Sequence, residues 1–155
     1  MKIKVMIDAN VLIYLFIGSD IEKEAIKKLF EESVKYRYVT TTRIIDEVIF
    51  KLMVINSGKK LKELKKDKAL LRSQKEIVLV VKRFLKDFNF KVYQIEERHY
   101  WRLPTIIEEF GLLGNDALTM SIMKENNLKY IATTDRDFED THLVNIFRRC
   151  GSDDR

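Results

Sequence analysis

The sequence predicts one α/β domain with a mostly parallel central sheet flanked by helices. Three observations carry this expectation. Short apolar runs rich in β-branched residues alternate with longer stretches of helical periodicity. The chain has 155 residues, which suits a single core. Glycine (5) and proline (1) are scarce, so regular elements should be long and connections short.

Each element follows in order. Lys2 to Ile7 reads as a strand ending at Asp8, and Asn10 to Ile17 as a helix broken by Gly18-Ser19. From Asp20 to Lys35 the apolar positions Ile21, Ala25, Ile26, Leu29, Phe30 and Val34 have helical spacing. Tyr36 to Thr41 is a second strand. Thr42 is expected to cap a third helix with an apolar face of Ile44, Ile45, Val48, Ile49, Leu52 and Ile55, stopped at Ser57-Gly58. Glu76 to Phe88 is helical and Lys91 to Ile95 alternates as a strand. Glu96 to Phe110 is a helix interrupted at Pro104. After a loop at Gly111 to Gly114, Asn115 opens a helix to Glu125. Lys129 to Thr134 is a strand that ends directly at Asp135, and Leu143 to Phe147 a short last strand. The domain is expected to span residues 1–150, with residues 57–75 a basic, insertion-like segment and 151–155 a frayed tail.

Composition narrows the function classes. The net charge of +5 gives a modest, salt-dependent attraction to nucleic acid. The single cysteine, Cys150, excludes an internal disulfide and a cysteine metal cluster, and reads as a tail thiol without a role. The apolar run before Asp8 is too short for a signal peptide, and no stretch approaches the ~18 apolar residues of a membrane span. A soluble, cytoplasmic protein is expected, with no membrane partner. His99 and His142 lack the spacing of zinc ligands and read as surface or capping residues.

The acids carry the chemistry. In an open parallel sheet, ligands bind beyond the carboxyl ends of the strands. Asp8 and Asp135 stand at two such ends, and Asp116 lies in the first turn of a helix. Singly, each suits an ordinary cap or turn. Together they form an acidic rim whose mutual repulsion calls for a cation. Oxygen ligands with room for water suit Mg²⁺ or Mn²⁺, which engage phosphate oxygens and promote phosphodiester cleavage.

Four segments then resemble, in order, the motifs of PIN-domain ribonucleases. They are Ile7-Asp8-Ala9-Asn10-Val11-Leu12, Thr42-Arg43-Ile44-Ile45-Asp46-Glu47-Val48, Asn115-Asp116-Ala117-Leu118 and Ala132-Thr133-Thr134-Asp135-Arg136-Asp137-Phe138. The resemblance implies a PIN-like domain and a quartet of acids, Asp8, Glu47, Asp116 and Asp135, holding Mg²⁺ or Mn²⁺. It makes Asn10, Thr134 and Asp137 auxiliary residues, and implies RNA hydrolysis leaving a 5′ phosphate and a 3′ hydroxyl. Periodicity alone does not choose between Asp46 and Glu47, since both lie off the apolar face; the family pattern favours Glu47. Many small PIN proteins are toxins paired with an antitoxin protein, and the family also holds RNA-maturation and decay nucleases. A homodimer fits the resemblance as well.

Two further segments have two readings each. Lys59 to Arg72 is either a phosphate-binding rim or a solvated helical hairpin. In Arg98-His99-Tyr100-Trp101-Arg102 the rings either stack on unpaired bases, or Tyr100 or Trp101 packs into the core. Rival functions also exist. A phosphatase with a strand-end aspartate nucleophile wants a second acid two residues on, where Asn10 stands. A phosphate-activated receiver wants a late lysine, and Lys129 starts a strand instead. A PIN-like scaffold that binds RNA or protein without cutting is the non-enzymatic reading.

Overall fold

The computed structural model describes residues 1–147, so Cys150 and the tail at 151–155 lie outside the described residues. In chain order the elements are β1 (Ile3–Ile7), α1 (Ala9–Ile17), α2 (Asp20–Glu31), β2 (Tyr36–Thr41), α3 (Thr42–Ser57), α4 (Leu61–Lys66) and α5 (Lys68–Ser73). There follow α6 (Lys75–Asp87), β3 (Lys91–Tyr93), α7 (Glu97–Trp101), α8 (Leu103–Phe110), α9 (Gly114–Glu125), β4 (Tyr130–Ala132) and β5 (Val144–Asn145).

All strand pairs are parallel, in the order β3-β2-β1-β4-β5. Val5, Met6 and Ile7 are consecutive and each fully buried. Successive strand residues face opposite ways, so both faces of the sheet are covered. On one group of elements, α1 packs on α2 and α3, and α3 on α6; on the other, α7 and α8 pack on α9. Phe30, Tyr38, Phe84, Phe88 and Phe90 form a ring cluster that joins α2, β2 and α6. No helix among the described residues is long and apolar enough to cross a membrane.

The strand order sets the position of the site. From β1 the chain builds outward to β2 and β3 on one side, and β4 and β5 lie on the other. The neighbouring ends of β1 and β4 therefore form the switch point where open parallel sheets leave a crevice.

Several local expectations are corrected. Thr41, not Thr42, caps α3: its hydroxyl accepts from Ile44 N at 3.1 Å, while the Thr42 hydroxyl accepts from Ile95 N. The second helix ends at Glu31, and Ile21 and Val34 face water, as does half of Ile55. The helix expected over 96–110 breaks at Arg102, two residues before Pro104. Proline then sits within the first turn of α8, where its missing N–H costs nothing. β4 ends at Ala132, so Asp135 does not directly follow it. The reason is Asn145, whose side chain bonds both Thr133 N and Thr133 O and replaces the ladder there.

Candidate active site

Asp8 closes β1. Its backbone N–H donates to Ala132 O at 3.0 Å, extending the β1–β4 ladder by one residue. Its side chain is 3% exposed and caps α1, with Oδ1 accepting from Ala9 N at 2.8 Å. Oδ2 accepts from the Thr133 hydroxyl at 2.7 Å. That hydroxyl accepts in turn from Asn10 Nδ2 and from Asp135 N. Asn10 Oδ1 accepts from Thr134 N at 3.2 Å. One polar network thus ties the end of β1 to the segment after β4.

Glu47 comes from the second turn of α3. Its two oxygens are held separately, Oε1 by Lys51 Nζ and Oε2 by Asn115 Nδ2, each at 2.8 Å. Its side chain is 25% exposed, against 75% for Asp46, which pairs with Arg43 outside the site. Asp116 enters on the first turn of α9. Gly114 there has φ +57°, a left-handed conformation that suits glycine as the chain turns into the helix.

These residues share a cleft of about 260 Å³ lined by Asp8, Asn10, Glu47, Lys51, Asp116 and Asp135, with Leu113 and Asn115 at its α9 side. Asp116, Asp135 and Asp137 each offer a carboxylate oxygen within 4.8 Å of the others. All four quartet acids therefore line one cleft, and Asp137 adjoins it through Asp116 and Asp135. What Thr134 adds in hydrogen bonding is its backbone N–H.

The electrostatics are those of crowded, partly desolvated acids. Burial pushes the Asp8 carboxyl above the ordinary aspartate range; Glu47 and Asp135 add to this, while the bonds from Thr133 and Ala9 oppose it. Burial pushes Asp116 up to about 7, reinforced by Asp8, Asp135 and Asp137. Such a cluster is relieved by a positive ion. The ligand atoms are all oxygens, and Asn115 Oδ1 is buried with no hydrogen-bond partner among the described residues. This donor set fits a hard divalent cation.

Sequence reasoning missed Thr133, Lys51, Asn115 and Asn145. Thr133 and Asn115 lie inside the quoted motifs, Asn115 directly before Asp116 and Thr133 two residues before Asp135, so their signal was closeness to an acid. Lys51 is one turn after Glu47, a spacing that brings opposite charges together on a helix. Asn145 had no local signal. His99 proves to be a buried cap: its Nδ1 accepts from Glu96 N at 2.8 Å, leaving Nε2 to donate to Glu125 at 2.5 Å. Of the two readings for this segment, packing of Tyr100 or Trp101 into the core does not hold: the two residues are 43% and 72% exposed. His99 takes the inward position of that helical turn instead.

The architecture is an α/β fold, an open parallel sheet with clustered carboxylates at its switch point, and this chain belongs to the PIN domain family, whose model matches residues 5–142. It is similar to Ribonuclease VapC2 of Methanocaldococcus jannaschii, with 27% identity over 147 residues and 92% of each chain covered. Two solved structures share the fold. VapC20 of Mycobacterium tuberculosis, described as a Sarcin-Ricin loop cleaving toxin, aligns with a TM-score of 0.62 at 12% identity, covering 92% of this chain and 98% of its own. A toxin–antitoxin complex from Klebsiella pneumoniae aligns with a TM-score of 0.55 at 20% identity, covering 91% and 96%.

Proposed function

We propose that this protein is a divalent-cation-dependent ribonuclease and the toxin of a toxin–antitoxin pair. The observation that carries the reading is the convergence of Asp8, Glu47, Asp116 and Asp135, from four separate parts of the chain, on one cleft. The likeness to a curated ribonuclease over nearly its whole length supports the activity. The toxin role is suggested by the solved structures of the same fold whose descriptions name toxins.

When bound, Mg²⁺ or Mn²⁺ would neutralise the carboxylates and promote attack of water on phosphorus. Asp8, Glu47, Asp116 and Asp135 would hold it. The protein's own part is preorganisation. Thr133 fixes Asp8 and Asn115 fixes Glu47, so the oxygens are aimed before substrate arrives. Asn10 and Asp137 stand beside the quartet as auxiliary groups, with Thr134 anchoring Asn10. The RNA strand is cut to give a 5′ phosphate and a 3′ hydroxyl. The partners in this reading are RNA, an antitoxin protein and a second copy of the chain, in the cytoplasm.

The test is cleavage of a pool of structured and single-stranded RNA with Mg²⁺, Mn²⁺ or chelator, comparing wild type with Asp8→Asn. Metal-dependent cutting absent from the variant is expected. Metal-independent cutting, or equal cutting by both proteins, would overturn the assignment. RNA binding that survives Asp8→Asn without any cutting by wild type would favour the scaffold reading.

A further inference from the structure

The acidic cleft poses a problem for its own substrate, because a phosphodiester strand is repelled by the four carboxylates that line it. One divalent cation leaves those carboxylates in excess. Lys51 is the cation among the residues lining this cleft. It projects from α3 one turn beyond Glu47, and Nζ lies 2.8 Å from Glu47 Oε1. That contact holds the ammonium beside Glu47 in the cleft lining, and the side chain is 51% exposed, so it is accessible to solvent.

The geometry also separates Lys51 from a merely structural partner. Glu47 is already held at its other oxygen by Asn115 Nδ2 at 2.8 Å, so its carboxylate is positioned without the lysine. Leu113, just before α9, also lines the cleft, is 85% exposed and offers no charge. The cation of the lining thus comes from α3, while the start of α9 supplies Leu113, Asn115 and Asp116.

We propose that Lys51 is a substrate-binding residue that contacts a non-bridging oxygen of the RNA phosphodiester. An ammonium on a flexible stem acts as a point charge towards phosphate. Its contact with Glu47 holds it in place between substrates. This assignment rests on the ribonuclease reading above, and deepens it by naming how the acidic site tolerates an anionic strand.

The experiment uses the full-length protein and a single-stranded RNA that wild type cuts. Steady-state kinetics with Mg²⁺ are measured for wild type, Lys51→Gln and Lys51→Arg. Equilibrium binding of the same fluorescent RNA is followed against salt, with Ca²⁺ replacing Mg²⁺ and integrity checked on a gel. Lys51→Gln is expected to raise KM about tenfold with kcat within about threefold, and to lower the log-log salt slope of binding by about 0.7, one lost phosphate contact. Lys51→Arg keeps the charge and should recover the slope. Thermal melts establish that both variants fold. An unchanged KM and salt slope in folded Lys51→Gln, with only the Mg²⁺ half-saturation shifted, would reduce Lys51 to a counter-ion of Glu47 and overturn the proposal. A wild type that cuts no RNA but binds it, with the slope still lowered by Lys51→Gln, would sink the ribonuclease reading and leave the phosphate contact standing. A wild type that neither cuts nor binds RNA overturns both.

Discussion

Thr133 joins the two halves of the centre. Its hydroxyl has one proton, which goes to Asp8, and its lone pairs take the N–H groups of Asn10 and Asp135. Thr133→Val preserves the shape but leaves Asp8 short of a donor. It should weaken Mg²⁺ affinity and cleavage roughly 10–100-fold, read as Mg²⁺ half-saturation and by calorimetric titration; an unaltered half-saturation would show that the hydroxyl only packs. Asp116 makes a pH-dependent prediction. Its carboxyl is pushed up to about 7 by burial and neighbouring acids, from 3.8 in an ordinary setting. The folded chain thus holds a proton there that the unfolded chain has released. The resulting stability is full below about 3.8 and is lost as pH rises through about 7. Metal-free protein should therefore become less stable as pH rises from about 4 to about 7, and Asp116→Asn should flatten that slope in urea melts with chelator. At this scale the sequence showed which acids to consider. Periodicity did not separate Asp46 from Glu47, because both flank the same apolar face; the family pattern favoured Glu47, and the packing of α3 turns it into the cleft.

At the scale of elements, α7 is a helix of five residues that cannot stand by itself. It is held by Glu125 at the end of α9, which takes bonds from Arg98 Nε at 2.9 Å and from His99 Nε2. These bonds, Arg98 first, lower the Glu125 carboxyl to about 2 from 4.5. A depressed acid stabilises the fold above its unfolded value and ceases to do so as pH falls through the folded one. The contribution should thus be intact above about 4.5 and disappear towards pH 2. Glu125→Gln should cost about 1–3 kcal/mol at neutral pH, measured by chemical denaturation, and should lose that acid-dependent difference. An equal stability at pH 7 would mean that α7 is held by its apolar contacts. The exposure of Tyr100 and Trp101 follows from the same arrangement. A helix this short has one inward face, and the hydrogen-bonded imidazole of His99 occupies it. Residue type alone favours the large rings for burial, so the outcome was not legible locally.

Across the whole molecule, charge is unevenly spread. Residues 57–75 hold eight lysines and arginines against two acids, in a chain whose net charge is +5. The rest of the chain is therefore close to neutral. The segment folds as α4 and α5 against α3, with Leu64 buried and no buried residue in α5, and most of its exposed residues are charged, Leu61 and Ala69 being exposed as well. Converting Lys62, Lys65 and Lys66 to glutamine should change stability by no more than about 0.5 kcal/mol. If this lobe meets the RNA backbone, the salt slope of binding should fall by about 2; an unchanged slope would leave it a solvated surface. The order of strands and helices, the parallel sheet and the four acid-bearing segments were legible in the sequence. Apolar periodicity and helix capping are local, and each element declares them within its own residues. Element ends were less legible, as the shortened β4 shows, because a side chain from β5 replaces its ladder there. The centre itself depended on tertiary structure. Asp8 and Thr133 are 125 positions apart, and Glu47 and Asn115 are 68 apart. Only the strand order, which sets β1 beside β4 and the first turn of α9 above them, brings these groups into one desolvated cleft. Their charge, hydrogen bonding and chemistry come from that meeting and from no single stretch of chain.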